Sequence, residues 1–206
     1  MTREELLALL SIKGMAKTEH LAEAFDVDAA EAESVLAELE AEGAVEQTRI
    51  GVKLTGAGKD EAERLRESEI AAASAENVAA LYERFEPINT AFKTRVSEWQ
   101  MRPGQEGQVP NDHSDAQYDA AILEGVIEDH PAILRLLEDA AAEAPRLALY
   151  GGRLDRALAH IREGEHRYLT APLIDSYHTI WFEMHEDLIR LAGRTRADEA
   201  AAGRAG

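Results

Sequence analysis

Thr18-Glu-His-Leu-Ala-Glu-Ala-Phe25, Asp28-Ala-Ala-Glu-Ala-Glu-Ser-Val-Leu-Ala-Glu-Leu-Glu-Ala-Glu42 and Ala44-Val-Glu-Gln-Thr-Arg-Ile-Gly-Val-Lys-Leu-Thr55 follow one another with few residues between them. Thr18 and Asp28 carry side chains that accept the free N–H groups of a helix start, and Gly43 suits a helix end. Leu21, Ala24 and Phe25 recur at helical spacing, as do Val35, Leu36 and Leu39, so each segment presents an apolar stripe. The β-branched residues at 45, 48, 50, 52 and 55, interrupted by Gly51, suit a short hairpin instead. With an upstream helix from Arg3 to Leu10, the order is three helices and then a hairpin.

That order is the layout of a winged helix-turn-helix, a small DNA-reading module, over residues 1–66. Charge pulls the other way. The third helix, where base-reading side chains would sit, offers five glutamates and no Lys or Arg, although cationic side chains supply most nucleic-acid affinity. The cations lie on and around the hairpin. DNA contact is therefore expected through Arg49 and Lys53, with Lys13, Lys17 and Lys59 flanking and Ser34 the uncharged candidate on the third helix. Glutamate accepts from cytosine N4, but several carboxylates in a phosphate-lined groove cost more than they gain. Glu31, Glu33 and Glu38 are read as a solvated face.

Residues 67–206 are expected to form an all-α helical domain, making the chain mainly α. One long helix is expected from Asp60 to about Glu86, stopped by Pro87, its alanine-rich middle suited to a dimer seam. A helix from Ile88 to about Met101 follows, then a loop, Arg102 to Pro110. Apolar stripes continue from Asp115 to Asp129, beyond Pro131, from Leu147 to Ile161, and in a last helix opened by Pro172. The end from Ala197 to Gly206 reads as frayed.

The chain has 206 residues, with 22 basic and 40 acidic ones and a formal net charge of −18. Such a field repels nucleic acid and anionic lipid at long range, so any contact with them needs a local basic patch. There is no cysteine, which excludes disulfides, thiolate nucleophiles and Cys-ligated zinc. No apolar run approaches a membrane span and no basic-then-apolar leader is seen, so a cytoplasmic protein with no membrane contact is expected. No nucleotide-binding or hydrolase motif appears, and no cofactor or enzymatic activity is expected.

Asp175, His178 and His185 are the low-ranking metal candidates. The two histidines are seven residues apart, about 10 Å along one helix face, too far for one ion. Another helix would have to complete the site, with His113, or His130 and Asp129, as partners; ordinary core or interface histidines paired to carboxylates are the simpler reading. Asn111-Asp-His-Ser-Asp115 sits where a helix needs capping. Arg146, Arg153, Arg156 and Arg162 suggest either an anion site or, with Asp155, Glu163 and Glu165 nearby, surface ion pairs.

Leu6-Leu-Ala-Leu-Leu10, Thr18 to Phe25, Val35-Leu-Ala-Glu-Leu-Glu-Ala-Glu-Gly-Ala-Val45 and Leu54-Thr-Gly-Ala-Gly-Lys59 together resemble the MarR-like winged-helix domains of bacterial transcription regulators, over about a third of the chain. The resemblance implies a homodimer that binds DNA, its helical half supplying dimerisation and an effector pocket. Phe92-Lys-Thr-Arg-Val-Ser-Glu-Trp-Gln100, Asn111 to Asp115 and Asp175-Ser-Tyr-His-Thr-Ile-Trp-Phe-Glu-Met-His185 are similar to the helical tail of actinobacterial proteins related to pyruvate phosphate dikinase. That similarity implies an accessory or scaffold module with a protein partner, linked to phosphoenolpyruvate-utilising enzymes but without their phosphohistidine or ATP-grasp parts.

Overall fold

The computed structural model describes residues 1–105, 107–195 and 197. The expected frayed end therefore lies outside the described residues, apart from Ala197. The described chain is mainly helical with two small antiparallel sheets, and no helix among the described residues is long and apolar enough to cross a membrane.

Helix α1 (Arg3–Lys13) opens on a reciprocal cap, Thr2 accepting the Glu5 N–H while the Glu5 carboxylate accepts the Thr2 N–H. It buries Leu6, Leu7, Leu9 and Leu10. Strand β1 (Met15–Ala16), α2 (Thr18–Phe25) and α3 (Ala29–Ala41) follow, and Asp28 caps α3 at the Glu31 N–H. Strands β2 (Val45–Thr48) and β3 (Gly51–Leu54) form the expected hairpin. The sheet runs β1-β3-β2, with Met15 opposite Lys53 and Ala16 opposite Val52. Nothing local marks β1, because two residues carry no periodicity; pairing with β3 makes it a strand.

Helix α4 (Gly56–Ala72) starts on Thr55, whose hydroxyl accepts the Gly58 N–H and donates to the Gly43 carbonyl at 2.6 Å. The chain is so close here that a Cβ on Gly58 would lie 1.9 Å from the Ala44 carbonyl oxygen. The single helix expected from Asp60 to Glu86 is in fact two, broken at Ala73 and Ser74. Ser74 caps α5 (Ala75–Gln100) at the Asn77 N–H, and Glu143 accepts from the Ser74 N–H and from Asn77 Nδ2. Pro87 does not end α5. An interior proline costs about 3 kcal/mol, but Val78, Leu81, Tyr82 and Phe85 before it and Phe92, Val96 and Trp99 after it share one buried stripe.

The expected loop after α5 is a hairpin, β4 (Met101–Gly104) against β5 (Gly107–Pro110). Its prolines are tolerated because both strands of a two-stranded ribbon are edges. Asp115 caps α6 (Ala116–Glu143), which runs through Pro131 without a break. A 3-10 turn at Pro145–Leu147 leads to α7 (Ala148–Arg162), the one-turn α8 (Arg167–Thr170) and α9 (Tyr177–Leu191). Pro172 does not open the last helix. Ser176 does, accepting the Thr179 N–H.

Two hydrophobic clusters result. One gathers α1, α2, α3 and the first sheet, with Ala62 of α4; the other gathers α5, α6, α7, α8 and α9. In the second, Trp181 stacks on Phe92 at 4.2 Å and donates its indole N–H to the buried Asn89 Oδ1 at 2.9 Å. Leu149 of α7 packs against the first cluster, and polar contacts also cross between the two. Arg190 reaches the Ser11 carbonyl, and Arg156 donates to the Glu23 and Ala24 carbonyls at the end of α2. Cations near the final carbonyls of a helix are placed where its dipole favours them.

Candidate nucleic-acid interface and the buried ion network

The alternation of β3 buries Val52 and Leu54 and turns Lys53 outward. Lys53 faces Glu46 across the ladder and pairs with it at 2.9 Å, so part of its charge is spent within the sheet. Arg49 stands exposed on the turn between β2 and β3 and forms no ion pair with any described residue. The β1–β3 register, carried one residue further, sets exposed Lys17 beside Gly51 and this turn. Lys17 and Arg49 thus share the turn end of the sheet, and Lys53 lies two residues along β3 from Gly51, opposite Met15 and Glu46.

Lys59 does not join them. It borders a cleft with Gly14, Leu54 and Arg190, at the other end of β3. Lys13 is withdrawn altogether: its ammonium lies 2.7 Å from Glu183 and 3.3 Å from Asp175. On α3, Ser34 is exposed among glutamates. Glu31 binds the N-terminal ammonium at 3.2 Å and Glu40 accepts the Gln47 N–H, whereas exposed Glu33 and Glu38 have no partner among the described residues.

The metal candidates do not converge. The only described group of three such side chains whose ligand atoms approach one another is His160, Glu163 and Glu165. His185 is buried against Phe85, with its Nε2 3.4 Å from the Tyr82 hydroxyl. His178 is half-buried, and burial pushes its imidazole pKa down. His130 bridges the Tyr177 hydroxyl and Asp155, not Asp129. Burial and the carboxylates of Asp129 and Asp155 raise the Tyr177 hydroxyl pKa.

Asp175 belongs to an ion network. It accepts from Arg153 Nε at 2.7 Å and from Nη2 at 2.9 Å. Glu183 Oε2 lies 2.8 Å from Arg153 Nη2 but out of hydrogen-bond alignment, and Arg153 Nη1 has no hydrogen-bond partner. In the arginine stripe, Arg146 and Arg153 form internal rather than surface pairs, Arg156 donates to backbone carbonyls, and Arg162 is exposed. Arg153 is fully buried, and Arg146 pairs with Glu69 of α4 and Asp187 of α9, Asp187 also accepting from the Tyr150 hydroxyl of α7. One signal for Arg153 was present: it lies three residues after Tyr150 and four before Ala157, inside the stripe that α7 buries.

Burial alone would raise the Asp175 pKa, but the Arg153 hydrogen bonds and charge, helped by Lys13, outweigh it and hold the carboxyl below its ordinary range. A carboxyl depressed in the folded state stabilises above its unfolded pKa of about 4, and that stabilisation is lost as pH falls through the folded value. Urea midpoints are therefore expected to fall more steeply below pH about 4 in the wild-type chain than in Asp175→Asn. Parallel curves would show that this carboxylate does not govern acid stability.

Asn111 and His113 do more than precede a cap. Buried Asp119 accepts from Asn111 Nδ2 at 2.8 Å and from His113 Nδ1 at 3.0 Å, and His113 lies against the Trp99 ring at 4.4 Å. Comparison of the chain with protein-family models, with curated proteins and with solved structures finds no match in any of the three.

Proposed function

We propose that residues 1–66 are a winged helix-turn-helix unit and that the chain acts as a transcription-regulator-like protein. Lys17, Arg49 and Lys53, on and beside the first sheet, contact DNA phosphates, and residues 67–206 supply dimerisation or effector sensing in a homodimer. The observation that carries this reading is the placing of exposed Lys17 and Arg49 at the turn end of the sheet, neither with an ion pair among the described residues, and of half-exposed Lys53 two residues along β3, in a chain of net charge −18. The MarR-like resemblance of the same segment supports it. Affinity comes from the wing, and the acidic α3 limits how deeply the unit enters a groove.

A labelled duplex titrated at rising salt tests this by fluorescence anisotropy. Contact through two or three phosphates gives a log–log salt slope of about −2 to −3. Binding is expected to vanish in Lys17→Ala/Arg49→Ala/Lys53→Ala. No binding at low salt would overturn the reading.

Exposed Glu33 and Glu38 favour a second reading, in which α3 docks a basic protein partner and the chain is an accessory module. This fits the resemblance to the tail of dikinase-related proteins. It predicts capture of a protein, and no DNA shift, by the same preparation.

A further inference from the structure

A cavity of about 690 Å³ opens between the end of α5, the start of α6 and α8, a volume that suits a small organic ligand. Ala116, Ala120 and Leu123 recur three or four residues apart on one face of α6, and Ala171 lines the same space, so the apolar wall is methyl and methylene surface. Asp119 belongs to that face of α6, and His113 comes from the turn before the helix. The His113 backbone is left-handed, with φ 56°, a conformation that a non-glycine residue keeps only where its surroundings fix it. Three contacts do so. Its N–H donates to Asn111 Oδ1 at 3.1 Å, its Nδ1 to Asp119 at 3.0 Å, and its ring lies 4.4 Å from that of Trp99.

Asp119 is the one carboxylate among the described lining residues, and it is buried. Dipoles answer it: the Asn111 amide donates to one oxygen at 2.8 Å and the His113 imidazole to the other. In the neutral ring a proton on Nδ1 leaves Nε2 with its lone pair, an acceptor, and the carboxylate behind the ring makes that acceptor more basic. Arg167 adds no free cation. It pairs with Glu165 at 3.1 Å, lies over the Tyr168 ring and is two-thirds exposed. Asp115 already accepts the first N–H groups of α6, so the helix start offers no anion site. The lining therefore combines a negative charge, a hydrogen-bond acceptor and an alkyl wall, in a chain whose net charge of −18 draws cations. An ammonium head, which only donates, on an alkyl body matches all three.

We propose that this cavity binds a primary alkylammonium ion, its chain along the alanine and leucine wall and its head donating to His113 Nε2, with the Asp119 charge behind the ring. The inference rests on the proposed sensing role of the helical half only for its biological meaning; binding itself is measured without DNA, so the two ideas fail separately. Hexylammonium is the probe, with hexanol as its uncharged donor counterpart and hexanoate as its anionic one. Each is titrated into the full chain at about 0.15 M salt, which screens the general acidic field, and binding is read from the Ala116, Ala120 and Ala171 methyl resonances. Saturable shifts are expected, with hexylammonium at least about fivefold tighter than hexanol, the difference between a charge-assisted and a neutral hydrogen bond, and no saturation by hexanoate. In His113→Asn, a residue type that tolerates positive φ, hexylammonium is expected to fall to the affinity of hexanol. Ala120→Phe, at an exposed position, fills the wall. It is expected to abolish saturation at the Ala116 and Ala171 methyls while the fold persists by circular dichroism. The proposal is overturned by no saturable shift at millimolar hexylammonium, by equal binding of hexanol or hexanoate, by an ammonium preference that survives His113→Asn, or by hexylammonium binding that Ala120→Phe leaves unchanged.

Discussion

Arg153→Ala is expected to lower the unfolding free energy by about 3–5 kcal/mol, the range for removing one member of a buried ion group. The guanidinium is fully buried, and both partners, Asp175 and Glu183, come from the segment at and before α9. Without it, two nearby carboxylates share only the Lys13 ammonium, which comes from α1. The damage should therefore spread from the α7–α9 contact to the junction with the first helix. Urea denaturation measures the loss. Removing the whole charge group in Lys13→Met/Arg153→Met/Asp175→Asn/Glu183→Gln should recover part of it, because no unpaired charge remains buried. A loss below about 1 kcal/mol for Arg153→Ala, the scale of an exposed pair, would mean that water reaches the site and the network is incidental.

Phe85→Ala should cost about 3–5 kcal/mol for a different reason: deleting a buried ring removes its transfer free energy and leaves a cavity. Phe85 has no exposed surface and packs on Trp181 at 5.9 Å, His185 at 5.0 Å and Tyr82 at 6.0 Å. It sits two residues before Pro87, in the part of α5 whose packing must outweigh the proline. The midpoint in urea should drop with little change in slope, since the surface exposed on unfolding is nearly the same. A small change would indicate that α5 closes around the gap, and that the stripe beyond Pro87 is what holds this helix in place. Phe85→Leu should recover a substantial part of the loss, whereas no charge substitution elsewhere in the network should.

Much of the local structure could be read from neighbouring residues. Asp28 and Asp115 each accept from the first turn of a helix where a cap was expected, whereas the caps Ser74 and Ser176 were not read from the sequence. Thr18 was expected to cap α2 but became its first residue, with Lys17 at the cap position and no side-chain hydrogen bond there. The proline readings failed at Pro87 and did not decide Pro131, because a proline's local penalty is small beside the apolar stripe of a helix nearly thirty residues long. The candidate interface was half legible. Arg49 and Lys53 follow from the hairpin, but Lys13 and Lys59 face elsewhere for reasons of packing alone.

Composition and spacing by themselves determined the mainly helical character, the three helices before a hairpin, the absence of thiol chemistry and the acidic field that any polyanion must meet. Tertiary structure decided the partners of the charges. Whether a lysine meets phosphate or an internal glutamate depends on which helix folds back across it, and Lys13 and Glu183 are 170 residues apart in the chain. Coulomb attraction and desolvation act over a few ångströms in space, while sequence patterns report only the few residues on either side.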